Sequence, residues 1–408
     1  MPVSLRINAV RFQHHLDRLA RIGALETGGV CRLAFSAEDK QGRDYIEARM
    51  RSLGLTVQID RIGNILGVRA GTQSGPAVLA GSHVDTVGTG GRLDGSVGVL
   101  GALEVIETLN EAGVCTVLPV GVVAFANEEG ARFMPDMMGS LVFRGDLSVD
   151  DARSSVDRDG VSVGDAIDAT GYAGTDDIAD VAVRTYVELH IEQGPILEQA
   201  RMTIGVVEAV QGLTWITFTL TGATAHAGAT PIDMRRDAGY VAGTIMQYAR
   251  TLSRDIEGQR ATVGSVSLSP NIVNVVAERA WVSVDLRNPD AERLAMAEQR
   301  LLRFVAETAA AERVGVSHTI DVRVPPARFD AAVVGHVENA AARLGYPSMR
   351  MMSGAGHDAQ ILAQKFPAAM VFVPSRGGIS HNVLEFTSTD DLAAGANVLL
   401  HTLLALAG

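Results

Sequence analysis

Three apolar runs end abruptly in ionisable residues, and this pattern limits the folds open to the chain. They are PAVLAGSHVD (76–85), VLPVGVVAFANEEG (117–130) and TYVELHIEQG (185–194). Each holds a strand's length of mostly apolar residues before its polar end, which reads as a buried strand. Between the first two lies GSVGVLGALEVIETLNEAG (95–113), with Val99, Leu103, Ile106 and Leu109 at helical spacing and Gly113 as a stop. Strand, helix and strand in this order predict parallel pairing through crossover helices. Ligands of such sheets bind beyond the carboxyl ends of the strands, where the polar clusters after residues 82 and 126 lie. Residues 145–182, rich in Asp, Ser and Gly, read as an excursion with short helices.

From about residue 209 the pattern changes. LTWITFTLTG (213–222) alternates, with Ile216, Phe218 and Leu220 opposed to Thr217, Thr219 and Thr221, as in a half-exposed strand. A helix (234–253), the strands ATVGSVSL and AWVSVDLR, a helix (290–312) and a strand near 316–324 follow. This β-α-β-β-α-β order is that of a ferredoxin-like sandwich. After VPPAR the first pattern resumes. The expected fold is α/β: a mixed, mainly parallel-sheet catalytic domain (1–208 and 325–408) with an inserted ferredoxin-like α+β lid or dimerisation domain (209–324). A chain of 408 residues suits two domains.

Net charge −12 argues against nucleic acid or an anionic membrane as partner. The most apolar segments fall short of the ~20 residues a membrane helix needs, and the N-terminus shows no signal-peptide pattern. Two cysteines are too few for a disulfide framework. A cytoplasmic protein is expected.

Metal-type ligands stand at or just after strand ends: His83 and Asp85 in GSHVDTV, Asp94 in GGRLDGS, the pair Glu128–Glu129, His190 in ELHIEQG and His381 in GGISHN. Singly each has a plain explanation; Asp94, for example, is placed to cap the helix beginning near Gly95. Together, imidazoles and carboxylates without cysteine suit zinc, manganese or cobalt, and a two-ion site needs terminal ligands for each ion and one bridging carboxylate.

These motifs, with GATAHAGATPIDMRRDA and SGAGHDA, closely resemble the di-metal amidohydrolases related to aminoacylases and zinc carboxypeptidases. Within them the chain resembles the branch of N-carbamoyl-L-amino-acid hydrolases, β-ureidopropionases and allantoate amidohydrolases. The resemblance runs in order through nearly the whole chain. It implies that Asp94 bridges two divalent ions (zinc, or manganese, cobalt or nickel), that His83 and His190 bind one, and that Glu129 and His381 bind the other. Asp85 would hold His83 in its ligating tautomer, and Glu128 would be the general base. His226 would act across a homodimer interface on the oxyanion. Asn274 and Arg287 would clamp a substrate carboxylate, Gln193 would bond a ureido group, and the loop at Gly356 would offer backbone N–H groups. For His357 and Asp358, beside that loop, a site role and a structural loop role both stay open, and Arg235 and Arg236 read as a charged face or an interface.

The resemblance thus implies hydrolysis of the ureido amide of a small carboxylate-bearing substrate, an N-carbamoyl-L-amino acid, to the L-amino acid, carbon dioxide and ammonia. Allantoate or a β-ureido acid is the alternative. A dipeptidase fits less well, because Gln193 stands where a ureido group needs a partner. A non-catalytic binding protein fits less well because all five ligands and Glu128 are present.

Overall fold

The computed structural model describes residues 5–408. The chain forms two compact units, Met1–Ala209 with Arg328–Gly408, and Val210–Ala327.

The larger unit is built on a nine-stranded mixed sheet. Its centre is parallel: Val120–Phe125, Ala77–His83, Val183–Ile191 and Ala368–Val373 lie side by side in that order. The flanking strands Ile65–Arg69 and Ile204–Val210 pair antiparallel to them. Val120–Phe125 and Ala368–Val373 are buried at every residue, as strands covered on both faces must be. The helix Ser96–Glu111 packs against the central strands and against Thr389–Ala407, which in turn packs on Ala331–Leu344. Both Ser96–Glu111 and Thr389–Ala407 are buried along most of their length, which explains why their sequences are apolar nearly all round rather than striped.

The smaller unit is an antiparallel four-stranded sheet in the order Gly315–Val324, Gly212–Thr221, Arg279–Asn288, Arg260–Ser269. Ile216, Phe218, Leu220, Val282, Val284 and Leu286 form one buried core with Val241, Ile245 and Leu252 of the helix Ala238–Asp255 and Leu301 and Val305 of Ala291–Ala311. Period-two alternation puts Trp215, Trp281, Asp285 and Arg287 on the opposite face of the sheet. The order and pairing are those of the ferredoxin-like sandwich expected from the sequence.

Candidate metal centre

The candidate ligands gather at the carboxyl ends of the parallel strands. His83 closes Ala77–His83, His190 lies near the end of Val183–Ile191, and Glu128 and Glu129 follow Val120–Phe125. Asp94 precedes the helix Ser96–Glu111 but does not cap it. The N-cap is Gly95, with no side-chain cap bond. Gly95 has φ 62°, and a Cβ there would lie 2.5 Å from the His83 ring. Only glycine fits that turn, and the turn leaves the Asp94 carboxylate to face the histidines.

Asp94 Oδ1 lies 3.1 Å from His190 Nε2 and 3.9 Å from His83 Nε2, and its Oδ2 lies 3.2 Å from His381 Nε2. His381 Nε2 is 3.3 Å from Glu129 Oε2. Two ligand groups result, His83–Asp94–His190 and Asp94–Glu129–His381, with Asp94 common to both. The Nδ1 atoms of His83 and His190 meet the backbone carbonyls of Asp85 at 3.0 Å and Ile191 at 2.9 Å. A carbonyl only accepts, so Nδ1 carries the hydrogen and Nε2 of the neutral ring offers its lone pair inward. Glu129 Oε1 is buried without a hydrogen-bond partner. Oxygen and nitrogen donors, one of them an orphaned carboxylate oxygen, fit divalent cations.

The electrostatics point the same way. Asp85, Asp94, Glu128, Glu188, Asp358 and Glu385 are all buried, and apart from Arg32 and Arg43, which act on Asp85, the groups bonded to them are imidazoles, hydroxyls, an amide and backbone N–H. Burial, then Asp358 and Glu129, pushes Glu128 well above the ordinary carboxylate range. Burial, then Asp94, does the same to Glu129. Burial opposes charge on His190, but the Asp94 carboxylate outweighs it and lifts His190 to about 9. Burial lowers His83 to about 4, which keeps it neutral. A cluster of this composition calls for positive charge from outside the chain.

Residues 79–405 match the family described as Peptidase family M20/M25/M40. The chain belongs to that family. The N-carbamoyl-L-amino-acid amidohydrolase of Rhizobium meliloti is 39% identical, over 98% of this chain and 96% of that protein. The allantoate amidohydrolase of Bacillus subtilis (strain 168) is 34% identical, over 96% of each. The crystal structure of a hydantoinase/carbamoylase family amidase from Burkholderia multivorans superposes with a TM-score of 0.95 at 43% identity, covering 99% of both chains. This M20 chain is a hydrolase of amide bonds.

The two adjacent glutamates diverge. Glu128 Oε2 lies 3.4 Å from His83 Nε2, whereas Glu129 faces His381. Glu128 belongs to neither ligand group. Asp85 meets His83 as expected, but not with its carboxylate. It meets His83 Nδ1 through its backbone carbonyl, while its carboxylate is 3.9 Å from that nitrogen. That carboxylate accepts instead from the peptide N–H groups of Glu128 and Glu129, each at 3.3 Å. The turn that carries the glutamates needs its N–H groups satisfied in a buried place, so the Asp85 carboxylate holds the pair while its carbonyl holds the histidine.

Gln193, held at φ 57°, donates its side-chain N–H to Asp94 Oδ2 at 2.8 Å and to Ser380 Oγ at 3.2 Å. Sequence reasoning missed Ser380, Glu385 and Glu188. Glu385 Oε1 accepts from the peptide N–H groups of Leu93 (2.9 Å) and Asp94 (3.2 Å), and Ser380 bonds both Asp94 and Glu385 Oε2. Glu188 accepts from Ser82 Oγ at 2.7 Å and the Ala359 N–H at 2.8 Å, and with His190 and His357 it forms a third ligand-type group. The signal was available. Glu188 shares a strand face with His190, and Glu385 is an acid set in the apolar run VLEF. Gly356 precedes His357, whose ring lies 4.5 Å from that of His190.

His226, Asn274 and Arg287 lie in the smaller unit. His226 Nδ1 accepts the N–H groups of Gly228 and Ala229, each at 3.0 Å, and Ala227 N–H donates to the Asn274 carbonyl at 3.0 Å. His226 and Asn274 therefore share one exposed loop pair. Arg287 Nε and Nη2 bond Asp285 on the same strand face.

Proposed function

We propose that the chain hydrolyses N-carbamoyl-L-amino acids to the L-amino acid, carbon dioxide and ammonia, with two divalent ions at Asp94. The observation that carries the ureido reading is the orientation of Gln193. The Asp94 carboxylate accepts only, so the amide must turn its N–H toward Asp94. Its Oε1 is then left buried and without a partner, an acceptor suited to the N–H₂ of a ureido group beside the metal ligands.

In this reading His83 and His190 hold one ion, Glu129 and His381 the other, and Asp94 both. Zinc, manganese, cobalt or nickel suits these donors. When bound, the ions polarise the scissile carbonyl and acidify water. Glu128, held by Asp85 through its own peptide N–H, takes the proton of the attacking water and delivers it to the leaving nitrogen. His226 has Nδ1 occupied by backbone donors, so Nε2 carries the hydrogen and is free to donate to an oxyanion. Arg287 and Asn274 orient the substrate carboxylate, and backbone at Gly356 lines the site.

We place the active form as a cytoplasmic homodimer with His226 acting on the partner's site. Three features support it. Arg260–Ser269 is an outermost strand of its sheet, open to pairing with a second copy. The neighbouring helix exposes Tyr240 and Met246. Both cysteines are free. Among the described residues no helix is long and apolar enough to cross a membrane.

Allantoate is the second reading, favoured by the Bacillus relative. The test is a kinetic comparison of N-carbamoyl-L-amino acids, N-carbamoyl-β-alanine, allantoate and dipeptides on metal-loaded enzyme. The highest kcat/KM is expected for a carbamoyl-L-amino acid. Turnover of dipeptides alone would overturn the ureido reading.

A further inference from the structure

The loop that carries His226 is held by a residue that sequence reasoning assigned to a charged face or an interface. Arg235 is half-buried and donates from Nη2 to the Ala227 carbonyl at 2.6 Å and from Nε to the Thr230 carbonyl at 2.9 Å. The Thr230 N–H in turn donates to the His226 carbonyl at 3.1 Å. One planar fork thus spans the whole turn whose Gly228 and Ala229 N–H groups occupy His226 Nδ1. Arg235 is itself fixed, because its own carbonyl accepts from Arg313 Nη2 at 3.1 Å. The other side of the loop is zipped to residues 274–276, Ala227 N–H donating to Asn274 and Val276 N–H to Ala225. His226 itself is exposed, so packing does not orient its ring; the backbone donors do.

We propose that Arg235 is a positioning residue for His226. Its guanidinium keeps the 226–230 turn closed, the closed turn keeps two N–H groups on Nδ1, and the hydrogen therefore resides on Nε2, where an oxyanion would receive it. Loosening the turn frees Nδ1 to take the hydrogen, and the ring then swings away from, or turns a lone pair toward, a developing negative charge. Lysine cannot replace the fork, since a single ammonium does not span both carbonyls in fixed geometry. The proposal rests on the reading of His226 as an electrostatic catalyst.

The experiment compares Arg235→Met, Arg235→Lys and His226→Ala with the unaltered metal-loaded enzyme, using an N-carbamoyl-L-amino acid and ¹⁵N-histidine NMR. His226→Ala identifies the His226 signals and tests the underlying reading. Arg235→Met is expected to lower kcat by about tenfold to a hundredfold, the scale of a small misplacement of a catalytic group. KM, metal content and melting temperature should stay within error, and the His226 signals should leave the Nε2–H pattern. Arg235→Lys should fall between, and added guanidinium should restore part of the kcat of Arg235→Met. If His226→Ala loses activity while Arg235→Met keeps both its kcat and the Nε2–H signals, Arg235 has no positioning role and the His226 reading stands. If His226→Ala retains full activity, both fall.

Discussion

In the larger unit Asp94, Glu128, His83 and His190 are buried and each lies within 4 Å of another. In the smaller unit His226 and Asn274 are exposed, and Arg287 is half-buried against Asp285. One region concentrates charge where water cannot screen it; the other keeps its polar groups at a surface and fixes them by backbone hydrogen bonds. Under the proposed function the difference separates two tasks. Burial makes the mutual interactions of the first set strong, although His381, in the second ligand-type group, is exposed. If, as proposed, the second set receives a substrate or an oxyanion, it must remain accessible until that group arrives, and turns such as 226–230 supply its geometry. Substitutions in the two regions should therefore fail differently.

The largest effect is expected at Glu128, the proposed base. Glu128→Gln should lower kcat by about 10²- to 10⁴-fold with metal content unchanged, measured by steady-state kinetics beside elemental analysis. Loss of metal together with activity would make Glu128 a ligand and erase its distinction from Glu129. Next is Glu385→Gln, which weakens the acceptor of the Leu93 and Asp94 N–H groups. Metal affinity should fall about 10- to 100-fold, read by competition with a chelating dye, without change in KM on saturated enzyme. Arg287→Lys in the smaller unit should do the reverse. KM should rise about tenfold as the fork on a carboxylate is lost, and metal affinity should stay the same.

These contrasts also show how far the sequence was legible. The parallel core could be read because its strands are buried on both faces, and the smaller unit because its sheet alternates strictly from Thr214 to Thr221. The strands Thr56–Ile59 and Ile65–Arg69 were not read, since neither four nor five residues hold enough periods to distinguish a strand from a loop. The residues of the two ligand-type groups were recognisable by type, and His83, Glu129 and His190 also by their place at the ends of apolar runs. The work of Asp85 was not, because a residue that satisfies backbone N–H groups distant in sequence leaves no local pattern. Glu385 and Arg235 escaped for the same reason.

The smallest effect lies far from the site. Burial, and then Arg49, lowers His15 from 6.5 to about 4, and its Nδ1 meets the Tyr45 hydroxyl. The folded state thus binds fewer protons than the unfolded one between these values, so this residue's contribution to stability is present above pH 6.5 and is lost as pH falls toward 4. His15→Gln should flatten that part of the acid loss in thermal melts between pH 7 and pH 4, roughly the window the linkage sets, and leave activity alone.

The central claim is that Asp94 is shared by two cations with Glu128 bound to neither. Anomalous diffraction from crystals grown with manganese or zinc tests it directly. The account predicts two peaks roughly 3.5–4 Å apart, one against His83 and His190, the other against Glu129 and His381, both touching Asp94. A single ion seated among Glu188, His190 and His357, or no ion at Asp94 at all, would contradict it.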